Sequence, residues 1–489
     1  MKSTCGTSGF KRSLAAIAVS AVLGMSASAY AADTSNIIGK ISGVQSAAGY
    51  KVQVTDPKTG FKREVAVDAS GNFRLSQLPI GAYVVEVVNA GRVVAKDEVR
   101  LSLGSNAVAQ FEIAQASSDT EVIQVTGARI RAVDVTSTDS GLVLGEVEFD
   151  KMPIARNITA VSLLAPGVVL GDSKFGASGG AGFASFGGSS ISENSCYING
   201  LEVTNTRQGL GCGSVPFEFY KEFQVKTGGY SAMYGRTTGG VLNAVTKSGT
   251  NEWEFAFTAN TQPSSLRSEG KKSYGTGVRL GQVFKDTTAD EFSESDISFS
   301  ASGALIEDKL FIYAIVNPRD KSSKWADTSG RLPYDADNRY RVNESSGGDN
   351  LFWGTKIDWD IADGHRLSVF AYSDRTDSEE TRYAYNPNSG VIGAKQGDFL
   401  NERGGEAASL SYVGNITDDF TVNLMHGKIK TQYGTTPSVV DCPIVSDGRG
   451  VPNPITGCGA GGSIGDDYDD NEQSRLDFEW ALGEFHGNH

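Results

Sequence analysis

Hydrophobic and polar positions change rhythm along the chain. Across 37–113, short alternating runs (YKVQVT, FKREVAV, FRLSQLPIGAYVVEVV) are separated by the turn-rich stretches DPKTG and DASGN. Tyr50, Val52 and Val54 point one way while Lys51, Gln53 and Thr55 point the other, as half-buried strands require. These strands predict a small β-sandwich over 37–115. A polar run, QASSDT, then leads into EVIQVTGARI at 121–130. That alternating segment is either the first strand of the next domain or a tethered strand offering unpaired backbone groups to another sheet. A short apolar helical pattern over 156–164 ends at Pro166-Gly167. In SCYINGLEVT, Asn199-Gly200 sits between two alternating runs and predicts a hairpin. VPFEFYKEFQVKTGGY predicts a helical turn followed by a strand at 223–227. Together 127–250 reads as a compact, glycine-rich, mixed α/β unit.

After Glu252 the rhythm becomes a long series of alternations. Trp253, Phe255, Phe257 and Ala259 oppose Glu254, Ala256, Thr258 and Asn260; Ile297, Phe299, Ala301, Gly303 and Leu305 oppose Ser298, Ser300, Ser302 and Ala304. Leu351, Trp353, Ile357 and Trp359 oppose Lys356, Asp358 and Asp360, and Leu476, Phe478, Trp480 and Leu482 oppose Asp477 and Glu479. The stretches 310–316 and 366–372 alternate poorly, which leaves their facing open. Short turns at IEDK, IADGH and NITDD take turns with long polar excursions at 261–294, 320–349, 377–405 and 432–471. An outer-membrane barrel has this asymmetry, with apolar residues to lipid and polar ones to the lumen. Closure removes edges that would be costly in hydrocarbon. A soluble sandwich also alternates, but four long polar loops on one end favour the barrel. About eight strands are expected over 252–489, the first of a transmembrane antiparallel β-barrel.

Charge and cysteine usage place the chain in an export compartment. Lys2, Lys11 and Arg12 precede an apolar run at 14–25, and Ala29-Tyr30-Ala31 supplies a small-residue cleavage site, so 1–31 reads as a signal peptide. The run is shorter than the ~20 apolar residues of a membrane anchor. Removing 1–31 takes away three cations and no acid, moving the formal charge from -14 to -17. That balance argues against nucleic acid as a partner. Cys5 leaves with the signal, and Cys196, Cys212, Cys442 and Cys458 remain. Four cysteines allow three pairings; the local one joins Cys196 to Cys212 and Cys442 to Cys458. A zinc site would need closer cysteine spacing or a nearby His.

Enzyme signals are weak. Gly176-Ala177-Ser178-Gly179-Gly180 matches the nucleophile-elbow pattern, but it lacks a strand before and a helix after. The spaced glycines of GLGCGS lack a βαβ context. His365, His426, His486 and His489 form no metal-binding His-Glu arrangement. The expectation is therefore no enzyme, no cofactor and no metal.

The residues DASGNFRLSQLPIGAY at 68–83 resemble the carboxypeptidase-regulatory-like domain, a prealbumin-like β-sandwich. FGGSSISENSCYINGLEVTNT and EFQVKTGGYSAMYGRTTGGVLNAVTKSGTNEWEF resemble the plug domain of TonB-dependent outer-membrane receptors, in the Oar-like branch that carries such an N-terminal domain. The resemblance implies a mainly β chain: a periplasmic sandwich, a plug over 127–250, and a barrel wall starting near Trp253. It also implies ligand-gated uptake driven by the proton-motive force. Its partners would be a TonB-type periplasmic energy-coupling protein, outer-membrane lipid and an extracellular ligand. Glu121, Val122, Ile123, Val125 and Thr126 stand where such receptors keep the TonB box. Arg236 and Glu254 are candidates for a plug-wall contact. A surface-exposed binding or adhesion protein is the alternative. Family barrels have about 22 strands, so eight imply an incomplete receptor (a fragment, a truncated gene or a split reading frame) with an unclosed sheet edge.

Overall fold

A computed structural model describes residues 34–480 apart from 45, 105, 114–139, 153–155, 172–181, 206–209, 232, 277–279, 282, 328–339, 348–349 and 438–464. The expected signal peptide, the segment 121–126, and Cys442 and Cys458 lie outside the described residues.

Seven strands build the sandwich: β1 (Thr34–Ser42), β2 (Tyr50–Thr55), β3 (Lys62–Ala66), β4 (Asn72–Pro79), β5 (Gly81–Asn89), β6 (Arg92–Leu101) and β7 (Asn106–Glu112). They form sheets of order β4-β1-β7 and β3-β2-β5-β6. Val52, Val54, Val85 and Val87 face Ile37, Phe73, Leu75 and Phe111 across a shared core. Each such side chain contributes roughly 1.5–3 kcal/mol by leaving water. The DASGN turn needs its glycine: Gly71 has φ 88°, and a Cβ there would lie 2.3 Å from the Ile41 carbonyl oxygen.

The next unit contains β8 (Ser140–Gly145), two short helices (Glu146–Lys151 and Ile158–Ser162), β9 (Val168–Leu170), β10 (Ala184–Phe186), β11 (Ser195–Ile198), β12 (Leu201–Glu202), β13 (Tyr220–Gly228) and β14 (Val241–Thr246). The second helix starts where Asn157 accepts a hydrogen bond from the Ala160 N–H at 2.9 Å. The hairpin between β11 and β12 turns at Asn199 and Gly200, with φ 47° and 82°, as a two-residue primed turn demands. The main sheet has order β12-β11-β14-β13-β8. Its β11–β14 pairing is parallel.

The remaining strands are β15 (Glu254–Gln262), β16 (Lys272–Tyr274), β17 (Val283–Asp286), β18 (Glu291–Ile306), β19 (Leu310–Asp327), β20 (Arg341–Gly347), β21 (Leu351–Ala362), β22 (His365–Ser373), β23 (Thr376–Asn386), β24 (Val391–Arg403), β25 (Gly405–Asn415), β26 (Phe420–Pro437) and β27 (Gly465–Trp480). Apart from the small β16–β17 hairpin they form one antiparallel sheet. β20 and β21 both pair with β19, β22 and β23 follow one another along the next position, and β24 and β25 both pair with β26. The curved sheet thus has eight staves. Its edges are β15 and β27, which do not pair with each other among the described residues.

Two expectations need correction. The long excursions are largely strand, since β18, β19, β26 and β27 run for 16 or 18 residues. About 9–11 residues cross a bilayer; the surplus meets water on both faces, so apolar alternation disappears there. The inner face of the wall is also not uniformly polar. Phe311, Tyr313 and Ile315 are buried inside, while Val316 faces out. The poor alternation at 310–316 follows, because one face meets lipid and the other meets a folded plug.

Candidate functional site

The plug-wall junction combines a dry aromatic patch with a polar clasp. Phe219 ends the turn before β13 and is fully buried. Its ring centroid lies 5.9 Å from Tyr313, 5.7 Å from Phe352 and 5.9 Å from Phe370, all on the wall. A Cβ on Gly354 would stand 2.7 Å from the Phe219 ring, so only glycine admits this approach. The Tyr313 hydroxyl donates to the Glu218 carbonyl at 2.7 Å. At the end of the plug, a Cβ on Gly249 would lie 2.5 Å from the Ile312 carbonyl and 2.6 Å from that of Gly303. The small residues before Glu252 therefore let the plug run against the wall backbone.

The polar clasp forms where the loop after β12 meets the break between β22 and β23. Buried Asp374 accepts from the Ser214 N–H at 2.7 Å and from the Gly405 N–H at 2.8 Å. Arg319 donates from Nη1 to the Ser214 carbonyl and hydroxyl, each at 2.9 Å. Bonds from a charged guanidinium such as that of Arg319 are about twice as strong as neutral ones. The Cys196–Cys212 disulfide, with Cα atoms 5.7 Å apart, ties this loop to β11. Further round the wall, Gln473 on β27 accepts from the Glu202 N–H at 2.9 Å and donates to its carbonyl at 2.8 Å. A third group surrounds Asp358: Lys356 at 3.8 Å, Arg366 at 3.4 Å and a donating Ser368 hydroxyl at 2.6 Å on the wall, and Ser248 at the end of the plug.

The structure brings Cys196 and Cys212 together. It does not bring Arg236 and Glu254 together: no ion pair joins them among the described residues, and both side chains are exposed. Arg236 precedes β14 and Glu254 follows it. The six residues of β14 put roughly 20 Å of extended chain between those ends. Arg236 instead occupies a turn at φ 63° on the side of Tyr197, and Glu254 lies across from Ser302. Sequence reasoning missed Asp374, Arg319, Ser214 and Gln473, whose partners across the plug-wall junction are more than 100 residues away.

Family comparison bears on the sandwich and the plug. Residues 39–114 match the carboxypeptidase regulatory-like domain, and 133–241 match the TonB-dependent receptor plug domain. The plug unit is that of the TonB-dependent receptors. It is 29% identical over 301 residues to the TonB-dependent transporter Oar of Myxococcus xanthus, a match spanning 59% of this chain and 27% of that protein. The match thus covers about a quarter of the curated relative. Solved structures similar to it include the outer membrane transporter YddB from Escherichia coli (15% identity, TM-score 0.48, 70% of this chain and 46% of that one). The siderophore receptor PirA from Acinetobacter baumannii is another (16% identity, TM-score 0.41, 70% and 45%). Receptors of this family are transport proteins rather than enzymes. The receptor resides in the outer membrane, with its sandwich on the periplasmic side.

Proposed function

We propose that this receptor takes up an extracellular ligand through its wall when a TonB-type periplasmic protein pulls on the plug. The observation that carries the reading is the plug's seating on the lumen face of the wall through Phe219 and Ser214. A stopper held there blocks a passage that energy must open. We assign the grip to Glu121, Val122, Ile123, Val125 and Thr126, which would add a strand to the coupling protein. These residues lie on the chain between the sandwich and β8, ahead of the whole plug sheet. The outward apolar face, including Phe255, Phe257, Phe299 and Trp353, supplies the contact with lipid.

The test uses the purified receptor in detergent and the soluble periplasmic domain of a TonB-type protein. The intact chain is expected to bind that domain, and deleting 121–126 is expected to reduce affinity at least tenfold. Unchanged binding by the deletion variant would remove the assignment.

A further inference from the structure

The sandwich is not merely linked to the plug; it is bonded to both plug and wall at the periplasmic mouth. On β13, Glu222 and Gln224 share one face. The Glu222 carboxylate accepts from the Leu103 N–H, and Gln224 Nε2 donates to the Leu103 carbonyl at 3.0 Å. Neighbouring Lys221 donates to the Ile80 carbonyl at 2.6 Å. Ile80 and Leu103 bury an apolar contact on Val245 of β14, separate from the sandwich core. On the wall side, Glu479 of β27 pairs with Arg74 and accepts from Gln77 Nε2 at 3.0 Å. The Asn251 N–H donates to the Lys58 carbonyl at 2.9 Å just before the first stave.

We propose that the sandwich is a releasable clasp that holds β13 and β14 of the plug in the closed position, and that plug remodelling begins with its undocking. The segment 121–126 lies between β7 and β8 in the chain. β8 pairs with β13 along Ser140 to Gly145, and the loop leading into β7 carries Leu103. A pull between them is therefore delivered to the two elements that meet at Glu222 and Gln224. Among the described residues the clasp is small beside the plug-wall core: a few hydrogen bonds, one ion pair and one apolar trio. It is the weaker of the two attachments and gives way first. This use of the clasp rests on the uptake reading; its existence as a separable contact does not.

Hydrogen exchange on the full-length receptor in detergent, without ligand or coupling protein, tests the contact. Arg74→Glu sets two carboxylates against each other at Glu479. It is expected to speed exchange of the Leu103 amide and of the β13 amides at least tenfold, with the Val52 and Val85 amides unchanged. Arg74→Glu combined with Glu479→Arg should restore protection. Glu479→Lys leaves the sandwich sequence intact and should act like Arg74→Glu, which guards against simple unfolding of the sandwich. If the Leu103 amide is freed while β13 stays as protected as in the native chain, or if the charge swap fails to restore protection, the clasp is overturned. Loss of the TonB-binding result would leave this outcome untouched.

Discussion

Glu222 is the residue at which chemistry and architecture meet most directly. Burial raises its carboxyl to about 7. The Leu103 N–H, Lys221 and Arg100 pull in the opposite direction, and Glu148 adds to the rise. A carboxyl whose folded value is raised holds its proton more tightly in the folded state. Its contribution is full below the ordinary value of 4.5 and is lost as pH rises through about 7. Protection of β13 should therefore fall between pH 5 and pH 8, by up to ~3 kcal/mol. Glu222→Gln should flatten that profile, which amide exchange of the full receptor at stepped pH would read. No local sequence signal marks Glu222, since its environment comes from Leu103, 119 residues earlier. Asn199-Gly200 is the opposite case: its turn is dictated by two adjacent positive φ angles and is legible without any tertiary information.

At the scale of elements, register explains which strands could be read. Leu310, Trp359, Leu367, Tyr412, Leu424 and Leu476 form one transverse row across successive staves. On β19 this row begins the strand, whereas on β26 the outward residues continue down through Val422 to Phe420. The lower edge of the apolar band therefore slides about one residue per stave. With ~3.3 Å per residue and ~4.8 Å between strands, that is a tilt of about 35°, inside the range of membrane barrels. Staves whose inner face meets water above or polar groups below, such as 254–262 and 297–305, announced themselves by alternation. β19 and β22 did not, because Tyr313, Phe370 and Tyr372 meet the plug's aromatic residues. An outward charge in the middle of the band gives the test. Phe299 lies opposite both Phe257 and Val316, and an arginine facing lipid near the midplane costs ~2–4 kcal/mol. Phe299→Arg should lower the fraction recovered in the outer membrane several-fold, measured by fractionation. Ser322→Arg, on the polar extension of β19, should not.

For the molecule as a whole, the order of sandwich, plug and wall was legible because each segment has its own rhythm. The way they are fastened was not, because it depends on contacts between distant segments. The cores show how far that fastening goes. Phe219, Phe223 and Val225 of the plug share one continuous buried cluster with Tyr313, Phe352, Phe370 and Met425 of the wall. The sandwich keeps a separate core around Val52, Val54 and Val85; its apolar contact with the plug's strands is the trio Ile80, Leu103 and Val245, beside the hydrogen bonds of Lys221, Glu222 and Gln224. Unfolding should therefore proceed in two units rather than three, with plug and wall cooperating and the sandwich melting independently. Truncating a buried phenylalanine costs ~3–5 kcal/mol, so Phe219→Ala should lower the plug-wall transition. Val85→Ala, deep in the other core, should lower only the sandwich transition. Scanning calorimetry of the receptor in detergent, combined with protease cutting of each segment, distinguishes the two. A plug that became protease-sensitive well below the wall's own transition would mean that Phe219 and its neighbours do not bind the two into one cooperative unit.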